Sequence, residues 1–155
     1  SRMTYYRYFQ NKTDLAKLVL KKVVDEGYDK FLSILAGEDS PEEKIGKILS
    51  LKHDGTHEVS REFLNDFYFD RNSELHDYIQ EISSETWKKI IGVIEDSKRK
   101  GIFREDLNPS FFYIISQKIA EMLSDPQVLK LFNSPQEMIM ESARLLIYGI
   151  TPRKT

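Results

Sequence analysis

The chain has no cysteine, five prolines, seven glycines and one tryptophan among its 155 residues. Without cysteine there is no disulfide, no thiol nucleophile and no thiolate-ligated zinc or iron–sulfur site. The few prolines and glycines stand mostly between periodic stretches, and no two-residue alternation of apolar and polar side chains persists, so the expected fold is all-α. No apolar run nears the ~18 residues that a membrane span needs. No signal-peptide pattern opens the chain, so no membrane partner and a cytoplasmic location are the default expectations. Glycine-rich phosphate loops, a Gly-x-Ser-x-Gly elbow and a kinase signature are all lacking, as are internal repeats and low-complexity segments. Nothing in the pattern calls for a cofactor or an enzyme.

What is present is globular: 40% hydrophobic and 31% charged residues. A chain of this length forms one domain, with room for a small appendage, and buries about 70% of its surface on folding. The formal net charge of −2 hides an asymmetry. Ser1–Lys22 carries Arg2, Arg7, Lys12, Lys17, Lys21 and Lys22 against Asp14 alone, a net of +5, and the rest of the chain carries −7. A basic end on an acidic body suits a protein that meets a polyanion at one end. The alternative is a short charged segment that is merely solvated.

Helix signals follow one another along the chain. A short helix is expected from about Arg2 to Phe9, then a long one capped by Thr13 and running to about Ala36. Ser40-Pro41-Glu42-Glu43 is a strong helix start, with proline at the first position and glutamate at the third. Ile45, Ile48 and Leu49 form the buried stripe of that helix, and Gly55 weakens it. A further helix carries Phe63, Leu64, Phe67 and Tyr68. Ser73 precedes a long helix to about Lys100, whose wide apolar arc implies packing on more than one side. Gly101 ends it. Asn108-Pro109 opens a helix to about Leu123, Val128–Phe132 forms a short helix, and Ser134-Pro135 starts the last, which Gly149 stops.

Residues 1 to 15 read Ser-Arg-Met-Thr-Tyr-Tyr-Arg-Tyr-Phe-Gln-Asn-Lys-Thr-Asp-Leu. This resembles the end of the helix-turn-helix in TetR-type transcriptional regulators. The family pattern is a serine, a small or basic residue or two, then Thr-x-Tyr-x-His-Phe-x-x-Lys-x-x-Leu. Ser1, Thr4, Tyr6, Phe9, Lys12 and Leu15 match it, and Tyr8 stands where the family has histidine. Gly101-Ile-Phe-Arg-Glu-Asp-Leu-Asn-Pro109 resembles the Gly-x-Phe-Arg-x-Asp-Leu-x-Pro junction of the same family. Leu145-Leu-Ile-Tyr-Gly-Ile-Thr-Pro152 is a weaker third match.

The resemblance implies an all-α protein: residues 1–22 as the remnant of a helix-turn-helix, and residues 23–155 as a larger helical bundle for effector binding and dimerisation. It also implies that two helices, about 40 residues with loops of ordinary length, belong before Ser1. The implied function is a ligand-responsive DNA-binding transcriptional regulator, with a repressor released from its operator by a small hydrophobic effector as the first expectation. Ser1, Arg2, Thr4, Tyr5, Tyr6, Tyr8 and Lys12 are the implied DNA-binding residues. A short helix with hydroxyls and an arginine near its N-terminus offers donors to phosphates and base edges.

In such a bundle Phe31, Phe63, Phe67, Tyr68, Trp87 and Ile90 are candidates to line an apolar effector pocket, against the alternative of plain core packing. His53, Glu62, Asn65 or Asp66 is a candidate polar anchor. The helices from Ser110 and Pro135 carry more apolar side chains than one buried stripe needs. Phe112, Ile115, Ile119, Met122, Ile139 and Leu146 are therefore the candidates for a homodimer interface.

Two other readings compete. His53 and His57 are four apart and flanked by Asp54 and Glu58, a spacing that puts two imidazoles on one helix face for a metal. Gly55 interrupts that segment, no His-Glu-x-x-His occurs, and solvated surface is the simpler account. No metal is expected, and His76 reads as polar surface. The remaining alternative is a helical-bundle interaction protein without DNA binding.

Overall fold

Proline and a short polar side chain together decide where four helices begin. Ser40 has extended backbone, its hydroxyl accepts the Glu43 N–H at 3.3 Å, and the Glu43 carboxylate accepts the Ser40 N–H at 2.8 Å. This reciprocal capping box satisfies two donors that a helix start leaves open. Pro41 follows at the first helical position, where a missing N–H does no harm. The arrangement recurs at Ser134-Pro135, where the hydroxyl accepts the Glu137 N–H at 3.1 Å. It recurs at Asn108-Pro109 with the Phe111 N–H, and at Asp125-Pro126 with the Gln127 N–H. Each such cap is worth about 1 kcal/mol.

A computed structural model describes residues 12–56, 74–122 and 125–152. Every element among the described residues is helical: α1 Lys12–Ala36, α2 Pro41–Asp54, α3 Glu74–Arg99, α4 Pro109–Met122, α5 Pro126–Leu129 and α6 Pro135–Ile150. No helix among the described residues is long and apolar enough to cross a membrane. The expected helix around Phe63 lies outside the described residues. Helix α1 begins one residue before Thr13, which is therefore inside the helix rather than its cap. It runs unbroken past residues 22 and 23. Helix α5 starts at Pro126 and not at Val128, because Asp125 caps it and proline takes the first position.

The helices pack in pairs: α1 against α2 and α3, α2 against α6, and α3 against α4. The core gathers at one end, from Leu35, Ile45, Ile48, Ile94, Phe103 and Ile150. Phe103 is only 2% exposed.

The segment between α3 and α4 closes that end. Gly101 has φ +69°, and a Schellman pair follows: Gly101 N–H to the Lys98 carbonyl at 3.0 Å and Ile102 N–H to the Ser97 carbonyl at 2.9 Å. Glycine suits the left-handed position because it has no Cβ to clash. Arg104 then donates its backbone N–H to the Ile150 carbonyl and its Nε to the Gly149 carbonyl, both at 2.9 Å. Asp106 holds the guanidinium at 2.7 Å. These donors cover carbonyls at the C-terminus of α6, so Gly149 does not stop that helix. It ends at Ile150, where Thr151 turns extended ahead of Pro152, as the residue before a proline is driven to do.

Candidate functional site

Helix α2 carries Ile45, Ile48 and Lys52 at i, i+3 and i+7, a single face by helical geometry. Ile45 and Ile48 are buried in the core. Lys52 extends the same stripe beyond it. Its backbone is held firmly: buried Thr56 donates its hydroxyl to the Lys52 carbonyl at 2.8 Å, and Gln136 of α6 donates to the next carbonyl, that of His53, at 3.2 Å.

Around Lys52 the helices do not close. A cavity of about 380 Å³ lies between α2, α3, α4 and α6, within the ~300–1,000 Å³ range of small-molecule sites. Its apolar wall includes Trp87, Phe112, Ile119, Ile139 and Leu146. Trp87 sets this wall in place, with ring centroids 5.8 Å from Phe112 and 5.3 Å from Tyr113. Gln80, Ser83, Gln117 and Ser142 add polar groups. Ser116 also lines it but donates its hydroxyl to the Phe112 carbonyl at 2.8 Å. No aspartate or glutamate is among the described lining residues.

A second, more open cleft of about 1,020 Å³ lies between α1, α2 and α3, lined by Phe31, Ile34 and Ile90 among others. Ile48 and Lys52 line both spaces and so stand between them. Lys52 keeps accessible surface, yet burial pushes its ammonium below the usual lysine range.

The remaining perturbed groups sit on the exterior. A hydrogen bond from Lys47 holds the Asp39 carboxyl below its ordinary value, and the Ser40 backbone N–H does the same for Glu43. Hydrogen bonds to Glu74 and Asp25 raise the Lys17 and Lys21 ammoniums.

The candidate pocket residues separate. Trp87 lines the smaller cavity, Phe31 and Ile90 line the open cleft, and Phe63, Phe67 and Tyr68 lie outside the described residues. His53 lines neither space and sits 3.3 Å from Asp54. Glu62, Asn65 and Asp66 lie outside the described residues. Lys52, Gln80, Ser83, Gln117 and Ser142 were not foreseen. The one available signal was a lysine continuing an apolar stripe at i+7.

Of the expected interface residues, Met122 is exposed and Ile115 is half-buried. Phe112, Ile119, Ile139 and Leu146 line the cavity instead. The side chains that α4 and α6 expose are Phe111, Ile114 and Met122, and Leu145 and Tyr148, with Leu145 68% exposed. Both faces of α4 are apolar, so periodicity alone does not rank the members of its apolar run.

Ser1, Arg2, Thr4, Tyr5, Tyr6 and Tyr8 lie outside the described residues, and Lys12 is described only as the first residue of α1. Among the described residues no group of three His, Asp or Glu side chains is placed to hold a metal ion. His57 is outside them. No family model, curated protein or solved structure matches the chain.

Proposed function

We infer that the chain acts as a ligand-responsive DNA-binding transcriptional regulator of the TetR type, most simply a repressor that a small effector releases from its operator. The observation that carries this reading is the course of α1. It starts at Lys12, inside the helix-turn-helix-like motif, and ends at Ala36, just past Leu35 in the core beside α2. A single helix of 25 residues, about 37 Å long, thus joins the basic segment to the helix that divides two ligand-sized spaces.

An effector that prefers one setting of α2 and α3 shifts α1 with them, since both pack on it. Coupling of this kind needs only a difference in effector affinity between the two settings. The outward Phe111, Ile114, Leu145 and Tyr148 supply apolar surface for pairing α4 and α6 with those of a second copy. Two basic ends then meet the two halves of an operator.

The test is protection of the promoter region of the protein's own operon by the full-length protein, with and without added effector. Protection that an effector relieves supports the reading. Absence of protection at any protein concentration that protects a control operator overturns it.

A further inference from the structure

Lys52 has no hydrogen-bond or ion-pair partner for its ammonium among the described residues. Its backbone carbonyl is bonded by Thr56, and burial lowers the proton affinity of its side chain. Gln80, Ser83, Gln117 and Ser142, which share its cavity, likewise make no side-chain hydrogen bonds within the described protein. Polar groups set into an apolar cavity are available to a ligand that supplies their partners. Among the described residues the lining of this cavity holds no carboxylate, while Glu26 and Asp54 line the open cleft on the other side of Lys52.

The chemistry of that ligand follows from the lining. One cation in a cavity whose described lining holds no carboxylate favours a single negative charge and repels a cationic ligand. A phosphate, carrying closer to two charges, calls for more donors than one lysine, and no arginine or helix N-terminus lines the space. The opposite wall of Trp87, Phe112, Ile119 and Leu146 suits an aliphatic or aromatic body. We propose that the cavity between α2, α3, α4 and α6 binds an amphipathic carboxylate, its charge on Lys52 Nζ and its apolar body against Trp87 and Phe112. This names the chemical class of the effector and so rests on the regulator reading, while its test does not use DNA.

Trp87 is the only tryptophan in the chain and lines the cavity, so its fluorescence reports occupancy directly. Decanoate, decanol and decylamine are titrated into the protein below their aggregation limits. Decanoate is expected to bind one per chain, on the order of tenfold to a hundredfold tighter than decanol, the worth of one charge-assisted hydrogen bond. Decylamine is the weakest of the three. In Lys52→Met, a change of similar length that removes only the charge, decanoate and decanol bind alike.

Equal binding of decanoate and decanol to the wild-type protein overturns the proposal. So does a decanoate preference that survives in Lys52→Met, or no Trp87 response to any of the three probes. In each of those cases promoter protection by the full-length protein still stands or falls separately, so the two failures are distinguishable.

Discussion

Lys44 and Lys52 stand about two turns apart on α2, and the two ends of that helix treat them differently. At the first end Lys44 is 6% exposed and donates to the Leu35 carbonyl at 2.9 Å. Helix α1 has no basic residue in its own last turn, so Lys44 supplies the positive charge that the C-terminus of a helix favours. At the other end Lys52 lines two open spaces, and its ammonium has no hydrogen bond or ion pair among the described residues. The same side chain is a structural clamp where a carbonyl lies within reach, and it borders open space at the other end of the helix. Burial of a lysine therefore says little until its partner is known.

Three substitutions break or sharpen that contrast. Phe103→Ala at the closed end is expected to destabilise by about 3–5 kcal/mol, since it opens a cavity in the core. If the two ends are independent, it leaves decanoate binding unchanged in whatever fraction stays folded, as urea denaturation and Trp87 titration together would show. Lys44→Met is expected to cost about 2 kcal/mol by the same urea measurement, because it strands the Leu35 carbonyl away from water. A cost below about 0.5 kcal/mol would mean that Lys44 is no clamp.

Lys52→Met has the opposite sign. It is expected to leave the free protein at least as stable, since burial disfavours the charged ammonium that it removes. The difference should depend on pH. Burial lowers the proton affinity of Lys52 in the folded chain below the ordinary lysine value of 10.5. Between the lowered value and the ordinary one, the unfolded chain keeps a proton that the native chain has released, so wild-type stability rises with pH there. Lys52→Met lacks that rise, and its advantage shrinks across the window. Lys17 and Lys21 work in the other direction, their contribution being lost as pH rises through their raised values. They do so equally in both chains and cancel in the difference. A gap between the two chains that stays constant from pH 7 to about 10 would show that Lys52 is not desolvated.

The same contrast separates what sequence reasoning reached from what it missed. The starts of α2, α4 and α6 were readable because each cap is chemically local: a polar side chain, a proline and an N–H two or three residues on. The left-handed Gly101 was readable for the same reason, since it follows a run of Lys98, Arg99 and Lys100 at a helix end. The end of α6 was misplaced, because the carbonyls of Gly149 and Ile150 are satisfied by Arg104, 45 and 46 residues earlier in the chain. The division of the candidate pocket residues between two spaces was not readable for a related reason. Phe31, Trp87 and Ile90 are all large and apolar, but which space each one borders depends on how α1, α3 and α4 pack around α2.

What the sequence determined by itself is whatever a few neighbouring residues can settle: the all-helical character, the capped starts, the break at Gly101 and the basic opening segment. Tertiary structure decided the rest, because it sets what stands opposite each side chain. Packing gave Lys44 a carbonyl and left the Lys52 ammonium without a hydrogen bond among the described residues. Packing likewise turned Phe112 and Ile139 inward while Phe111 and Leu145 kept their exposure. Periodicity names the face on which a residue lies, but the neighbour that meets that face comes from another helix.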